Sequence, residues 1–274
     1  MKKQKLDNRD NRLDERSADE LRSIVVTYNT FGYGDGSVLF ELGKTKVLCT
    51  VSLSPGVPPF LRGSGTGWLT AEYGMLPTAT HTRTQRESGA LKKSGRSVEI
   101  SRLIGRSLRA IVDLKKLKDC TITVDCDVLQ ADGGTRTACI TGAYLALCQA
   151  QKQWLERKQI GYPVIMDALA AISVGVKDDT VLLDLNYEED CSVDADYNFV
   201  LTKSGSIIEI QGTAEYTPVS WELFDRIRHS AINGIKSLFT YLDSQVFELE
   251  EKKGTGAKAL PLFSLRNRQH MVNS

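Results

Sequence analysis

The chain of 274 residues has few of the residues that build metal centres, disulfide frameworks or membrane spans. Its six cysteines include no Cys-x-x-Cys pair and its three histidines are scattered, so the pattern predicts neither a zinc site nor a disulfide framework. No apolar run approaches the ~20 residues of a membrane helix, and the N-terminal residues are too polar for a signal peptide. We therefore expect a cytoplasmic protein with reduced thiols and no membrane partner.

Excess charge of one sign is also lacking. A net charge of +1 argues against a chain that wraps nucleic acid by bulk charge, although it allows a local basic patch opposite an acidic one. A hydrophobic content of 41% and a charged content of 25% are typical of a globular protein. The length allows a substantial core, in one large domain or in two intimate halves.

The periodicity of the chain predicts an α/β (α+β) protein. Predicted strands lie at 37–42, 45–52, 121–128, 168–176, 180–186, 196–202 and 206–211, and predicted helices at 98–113, 138–158 and from 220 onward. Two predicted hairpins, each followed later by a helix, suggest a weak internal duplication. Residues 54–97 show little periodicity, and we expect a functional loop or a subunit contact there.

The most informative segment is DCDVLQADGGTRT at 125–137, where strand alternation gives way to a double glycine and then to an amphipathic helix pattern. Gly133 and Gly134 let the backbone approach a ligand without a Cβ in the way. Thr135 and Arg136 lie where the first turn of a helix presents free N–H groups and its positive end. These features predict a pocket for an anion such as phosphate. A plain strand-to-helix turn is the alternative.

Arginines recur at the helix predicted before this segment. Arg96 follows a glycine at the helix start, from where a guanidinium can bind an anion through two hydrogen bonds. Arg102, Arg106 and Arg109 share one face of the helix. That stripe is typical of a solvated surface or of salt bridges between subunits.

An acidic run from Asp184 to Asp196 follows in the second half. Such a run is often only a solvated turn. Asp194 and Asp196, however, alternate into a predicted strand, where two carboxylates on one face repel each other. Their proximity requires a divalent cation or a raised carboxyl pKa.

A further group lies within the aperiodic residues 54–97. Its basic members are Arg83, Arg86, Lys92 and Lys93, which together form an edge suited to a nucleic-acid backbone. Trp68 and Tyr73 either stack on bases or pack in the core. Basic loop, anion pocket and acidic pair together indicate phosphoryl or nucleotidyl transfer.

Six collinear segments resemble the ribonuclease PH family of tRNA nucleotidyltransferases, which are phosphate-dependent 3′ exoribonucleases. They are GSVL at 36–39, TKVLCT at 45–50, GWLTAEYGMLP at 67–77, RLIGRSLRA at 102–110, DCDVLQADGGTRT at 125–137 and IEIQGTAE at 208–215. The resemblance covers roughly residues 10–248 and is nearer to the single-chain bacterial enzyme than to exosome-ring subunits.

The resemblance implies a role for particular positions. Phosphate binding falls to Arg96, Gly134, Thr135 and Arg136. The implied catalytic and Mg²⁺-binding residues are Asp190 and Asp196. Both act as metal ligands, or one acts as a general acid, and Asp184 is implied to be a supporting acid. Arg83 and Arg86 guide the RNA 3′ end. Two positions depart from the family pattern, since Thr78 replaces a typical arginine and Glu15 a glycine.

The resemblance also implies the architecture and the reaction. We expect one catalytic domain, 1–248, with two pseudo-repeated βαβ-type halves at about 10–160 and 161–248 whose mixed sheets pack against helices, followed by a tail at 249–274. A homo-hexamer, a trimer of dimers, would trim tRNA precursors and ribosomal RNA with inorganic phosphate, releasing nucleoside diphosphates, and would add nucleotides in reverse. A non-catalytic RNA-binding subunit of an exosome-like ring and a metal-dependent hydrolytic nuclease remain the alternatives.

Overall fold

The computed structural model describes Arg12, residues 14–87 and residues 94–251, with side chains as far as Ser244. Within these residues the chain forms two sheets. The first sheet contains β1 (Ile24–Tyr28), β2 (Gly36–Leu42), β3 (Thr45–Pro55), β4 (Trp68–Met75) and β5 (Cys120–Gln130). The second contains β6 (Leu169–Lys177), β7 (Thr180–Leu183), β8 (Ala195–Thr202) and β9 (Ile207–Ala214).

Four α-helices accompany these sheets in the described part of the chain. They are α1 (Gly95–Arg109), α2 (Thr135–Glu156), α3 (Tyr187–Asp190) and α4 (Trp221–Glu251), with short 3₁₀ helices at Pro59–Leu61 and Leu114–Leu117. No described helix combines the length and the apolar character that a membrane span requires. Helix α4 continues to Glu251, into the segment predicted as a tail, and the rest of that segment lies outside the described residues, as do Lys92 and Lys93.

The first sheet is mixed and has the order β1-β2-β3-β5-β4. All its pairs are antiparallel except β4 with β5, which run parallel from Trp68 opposite Thr121 to Met75 opposite Val128. Helix α1 makes the crossover between these two strands and packs on β4. Because β4 and β5 are parallel, the loop after β4 and the turn after β5 lie at the same edge, where the Ala131 N–H donates to the Ala79 carbonyl.

The second sheet has the order β7-β6-β8-β9 and is antiparallel throughout. Helix α2 lies between the two sheets, in contact with β2 and β3 on one side and with β6 on the other. Helix α4 also packs on β6 and β7, and β6 is buried along nearly its whole length. The layered arrangement confirms the predicted α/β class with sheets packed against helices.

Three features differ from the sequence-based predictions. Helix α2 begins at Thr135 rather than near 138 and is buried on almost every side, because both sheets cover it. Strand β1 was not predicted. Strand β4 lies within the supposedly aperiodic residues 54–97, where Leu69, Ala71 and Tyr73 alternate as buried positions beside glycine-, proline- and threonine-rich flanks that hide the pattern.

The described residues before β1, Arg12 and residues 14–23, form an arm. Arg12, Arg16 and Arg22 are all buried, which arginine side chains accept only when they are paired. Glu15, where the family resemblance implies a glycine, adopts a left-handed backbone with φ of 61°. A glycine would adopt this conformation without strain, whereas Glu15 holds it at a backbone cost.

Candidate active site

A cavity of about 480 Å³ opens at the edge where β4 and β5 end, and both halves of the chain line it. Most of the predicted site residues meet there, namely Arg96, Gly134, Thr135, Arg136, Asp190 and Asp196. Neighbouring Gly133 and four residues of the loop after β4, Thr80, His81, Thr82 and Thr84, complete much of the wall. Residues far apart in the sequence thus share one space.

The turn between β5 and α2 forms the electropositive floor of the cavity. Gly133 and Gly134 have φ values of 75° and 64°, a conformation that side chains rarely adopt. A Cβ on Gly133 would lie 2.5 Å from the carbonyl carbon of Asn186, so the turn packs directly against the start of α3. Gly134 is the N-cap of α2 and offers no side-chain cap, which leaves the first-turn N–H groups for a ligand.

Two guanidinium groups stand beside this turn. Arg96 is exposed in the first turn of α1, after the N-cap Ser94, whose hydroxyl accepts a hydrogen bond from the Ser97 N–H. Arg136, in the first turn of α2, forms a salt bridge of 2.9 Å from Nη2 to Glu99 Oε2. The buried Nε of Arg136 donates to no described residue. An unused buried donor beside free helix N–H groups fits an anionic ligand.

Asp190 and Asp196, from the second half of the chain, form a wall of the same cavity. Partial desolvation raises the pKa of Asp190, against the opposing charges of Arg96, Arg136 and Arg22. Burial raises the pKa of Asp196 too, and the charges of Asp190 and Glu215 add to the rise while Arg136 opposes it. The charge of Asp190 therefore acts on Asp196, and the positive charge of Arg136 acts on both carboxyl groups.

The structure revises the interpretation of two other acids. Asp184 is fully buried and does not line the cavity, because its carboxylate pairs with Arg22. It is thus placed as a structural partner rather than as a supporting acid in contact with substrate. Asp194 Oδ2 accepts a hydrogen bond from the Asp178 N–H and does not line the cavity, so of the two acids suggested by alternation only Asp196 faces it. Strand β8 begins only at Ala195.

Arg83 and Arg86 lie on the loop after β4, exposed and outside the cavity lining. They stand near its mouth, since Thr82 and Thr84 on the same loop do line it. The side chain at Thr78 adds no positive charge to this loop. The basic edge of the described residues is therefore short.

Sequence reasoning missed an aromatic pair at the cavity. The rings of His81, from the loop after β4, and Tyr187, the first residue of α3, lie 5.4 Å apart between centroids. Tyr187 is 46% exposed, so its ring is accessible from solvent. Each residue stood inside a motif noted for its charges, and no local spacing links positions 81 and 187. Asn198 and Ser173 were missed for the same reason.

Other side chains that had two interpretations are now placed. Tyr73 is buried and its hydroxyl hydrogen-bonds Thr135 Oγ1 at 3.3 Å, so it packs in the core. Trp68 lies beneath the guanidinium of Arg109, 4.6 Å from the ring centroid. Arg106 pairs with Glu209 at 2.7 Å and so joins α1 to the second sheet. Two members of the arginine stripe therefore make contacts within the chain.

The donor set of the cavity suits Mg²⁺ better than a metal that needs a cage of protein ligands. Among the described residues, no group of three or more histidine, cysteine or acidic side chains converges. Mg²⁺ is commonly held by one or two carboxylates together with substrate phosphates. Asp190 and Asp196 beside an anion-binding turn fit that pattern.

Comparisons with known proteins agree with this arrangement. The model of domain 1 of the 3′ exoribonuclease family, RNase PH, matches residues 20–153, and the model of domain 2 matches residues 167–234. Rice (Oryza sativa) Rrp46 shares the fold, with a TM-score of 0.69, 19% identity, and coverage of 85% of this chain and 99% of that one.

Two archaeal structures are also similar. The Archaeoglobus fulgidus exosome with RNA bound to the active site matches with a TM-score of 0.71 at 25% identity, over 85% of this chain and 93% of that one. An archaeal exosome core matches with a TM-score of 0.67 at 25% identity, over 83% and 89%. Since the two domain models together span well over half of the sequence, this chain belongs to the RNase PH family of 3′ exoribonucleases.

Proposed function

We propose that the protein is a phosphorolytic 3′→5′ exoribonuclease of the single-chain bacterial type, which trims tRNA precursors, and ribosomal RNA, in the cytoplasm. One observation carries the proposal: an anion-binding turn with two arginines and a pair of carboxyl groups of raised pKa converge in a single cavity. A scaffold protein that only binds RNA requires neither the anion-binding turn nor the pair of carboxyl groups. The similar archaeal exosome with RNA bound to its active site supports RNA as the substrate.

In this mechanism inorganic phosphate is bound by Arg96, Arg136 and the N–H groups near Gly134 and Thr135. One phosphate oxygen attacks the terminal phosphodiester in line, and the bond from phosphorus to the 3′ oxygen of the preceding nucleotide breaks. The products are a nucleoside diphosphate and an RNA shortened by one residue, whose 3′ oxygen takes up a proton. Two anions must approach each other, so the guanidinium groups lower the barrier by offsetting their repulsion.

Asp190 and Asp196 act at the scissile phosphodiester of the RNA. They would hold Mg²⁺, which when bound supplies positive charge to the phosphate oxygens. The raised pKa of each carboxyl also suits a general acid that protonates the leaving 3′ oxygen. Arg83 and Arg86, at the cavity mouth, would contact the RNA backbone and guide the 3′ end inward. Because bonds of similar energy are exchanged, nucleotide addition from diphosphates should also occur.

We further propose the assembly and the domain division that the family resemblance implies. The assembly is a homo-hexamer, a trimer of dimers, with a native mass of six times 30.3 kDa. The catalytic domain is residues 1–248, with halves at about 10–160 and 161–248, and residues 249–274 follow it. Native mass measurement and limited proteolysis test these two statements.

The test of function is an RNA-trimming assay with Mg²⁺, with and without inorganic phosphate. We expect 3′ trimming of a tRNA precursor only when phosphate is present, with nucleoside diphosphates as products. Release of nucleoside monophosphates without phosphate would identify a hydrolytic nuclease instead. RNA binding without any trimming would identify a non-catalytic subunit of an exosome-like ring, a role that the similarity to exosome structures favours as the second candidate.

A further inference from the structure

The arginine arm before β1 reaches the back of the phosphate turn. Arg22 is 5% exposed and lies between the turn and Asp184. Its Nη2 and Nε bind the two carboxylate oxygens of Asp184 at 2.6 and 3.1 Å. Its Nη1 donates to the carbonyl oxygen of Asp132 at 2.6 Å and to that of Gly133 at 3.4 Å. Every nitrogen of this guanidinium group is thus occupied by the protein.

Thr45, at the start of β3, holds the same turn from a second direction. Its buried hydroxyl donates to the Gly133 carbonyl at 2.7 Å and accepts from the Asp132 N–H at 2.9 Å. Arg22 and Thr45 therefore both bind the Gly133 carbonyl. Asp184 in turn accepts a hydrogen bond from the Arg22 backbone N–H at 2.8 Å, which fixes the arm beneath the turn.

The direction of these carbonyl groups determines where the neighbouring N–H groups point. In a trans peptide the C=O of one residue and the N–H of the next point in opposite directions. Holding the carbonyls of Asp132 and Gly133 toward Arg22 and Thr45 therefore turns the N–H groups of Gly133 and Gly134 the other way. Both glycines line the cavity, and successive N–H groups in such a turn form an anion-binding concavity.

We propose that Arg22, Thr45 and Asp184 are positioning residues that keep the Gly133–Gly134 turn in its phosphate-binding form without touching phosphate. The inference rests on the proposed function of the cavity. It also gives Asp184 a new role: a carboxylate of the second half fixes the anion-binding turn of the first half. The affinity for phosphate then depends on side chains buried behind the turn.

Thr45 offers the cleanest test, because valine has nearly the same shape and lacks the hydroxyl. Inorganic phosphate with Mg²⁺ is titrated calorimetrically into the full chain, and RNA affinity is measured separately. Thr45→Val should weaken phosphate binding by about tenfold or more, since it removes two buried hydrogen bonds that orient the turn. Thr45→Ser keeps the hydroxyl and should restore the affinity to within about twofold, and RNA affinity should stay unchanged in both.

Arg22→Lys, with Arg16→Lys as its control, tests the second contact. Arg16 is similarly buried on the same arm, bonds the Asp184 backbone carbonyl and lies 3.8 Å from the Asp184 carboxylate, but it makes no hydrogen bond to the turn. Both variants should lower the melting temperature, whereas only Arg22→Lys should raise the Kd and the KM for phosphate. If Arg22→Lys does not fold, the Thr45 pair decides alone.

The outcomes separate this inference from the proposed function. A wild-type protein that binds no phosphate overturns the proposed function and this inference together. If the wild type binds phosphate, and Thr45→Val and folded Arg22→Lys bind it equally tightly, this inference alone is overturned. The inference is also contradicted if Thr45→Ser weakens phosphate binding as much as Thr45→Val does, because the serine hydroxyl can make the same hydrogen bonds.

Discussion

The two walls of the cavity are built in different ways. The wall from the first half uses backbone N–H groups at a glycine turn together with Arg96 and Arg136, so its geometry is fixed by secondary structure. The wall from the second half uses two side chains, Asp190 and Asp196, whose pKa values are raised by desolvation. The arginines of the first wall oppose the rise in the pKa values of the carboxyl groups of the second. Neither half alone therefore supplies both the positive groups and the carboxyl groups of a site for two phosphates.

The largest effect is expected from a substitution in the acidic wall, which Asp190 and Asp196 form. Asp196→Asn removes the charge and the proton-donating group, so the trimming rate should fall by about 10²–10⁴-fold, as for loss of a general acid or a metal ligand. Phosphate binding should persist or tighten, because a negative charge near Arg136 is lost. Single-turnover trimming and phosphate titration measure the two effects. Asp194→Asn, just before β8 and outside the cavity lining, is the control and should trim at nearly the wild-type rate.

The next largest effect is expected from a substitution in the cationic wall, which the glycine turn, Arg96 and Arg136 form. Arg136→Ala removes a charge-assisted contact to phosphate and should cost on the order of 2–5 kcal/mol in phosphate-dependent trimming. Binding of tRNA should stay largely intact, since Arg83 and Arg86 lie elsewhere. Trimming kinetics and a tRNA-binding assay measure the two properties.

Arg102→Ala, at an exposed arginine of α1, is the control for loss of a positive charge. Retained phosphate-dependent trimming by Arg136→Ala would contradict the assignment of the cationic wall.

The aromatic pair connects the two walls and tests a smaller effect. If the ring surface of His81 and Tyr187 receives the terminal base, Tyr187→Ala should weaken binding of the RNA 3′ end by about 1–3 kcal/mol, as for loss of one stacking partner. Tyr187→Phe keeps the ring and should bind normally. Fluorescence of 2-aminopurine at the 3′ terminus reports stacking directly. Equal quenching in Tyr187→Ala and in the wild type would remove this role.

The smallest effect concerns the balance within the cationic wall. Glu99 pairs with Arg136; burial tends to raise the pKa of Glu99, but Arg136, together with a hydrogen bond from Gln211 and the charge of Arg96, outweighs burial and lowers that pKa. Because Glu99 competes with phosphate for Arg136, Glu99→Gln should tighten phosphate binding by a few fold, or about 0.5–1 kcal/mol. Calorimetric titration measures this change, with Asp243→Asn as a control that breaks an ion pair with Lys203 outside the cavity lining. Weaker binding by Glu99→Gln would show that the pair orients Arg136 instead.

The difference between the walls also explains what the sequence could predict. The glycine turn is contiguous, so strand alternation, two glycines and a helix start suffice to predict it at 133–136. The acidic pair is less local. Alternation favoured Asp194 with Asp196, whereas the structure brings Asp190 from the end of α3 to Asp196. Only the family resemblance had indicated the pair that faces the cavity.

Long-range contacts were beyond any local pattern. Arg12 bonds Glu189 through two hydrogen bonds across 177 positions, and Arg22 bonds Asp184 across 162. Periodicity records which face of an element is buried, but it does not record which distant charge satisfies a buried arginine. Local sequence patterns therefore did not indicate that the arm contacts the phosphate turn, and finding this contact required the structure.

The most direct test of phosphorolysis follows the attacking phosphate itself. Wild-type protein is incubated with a tRNA precursor, Mg²⁺ and radiolabelled inorganic phosphate, and the released nucleotides are separated. We predict nucleoside diphosphates that carry the label in the β-phosphate, since the attacking phosphate becomes the terminal group of the product. Unlabelled nucleoside monophosphates, or no released nucleotide from RNA that is demonstrably bound, would contradict the proposal.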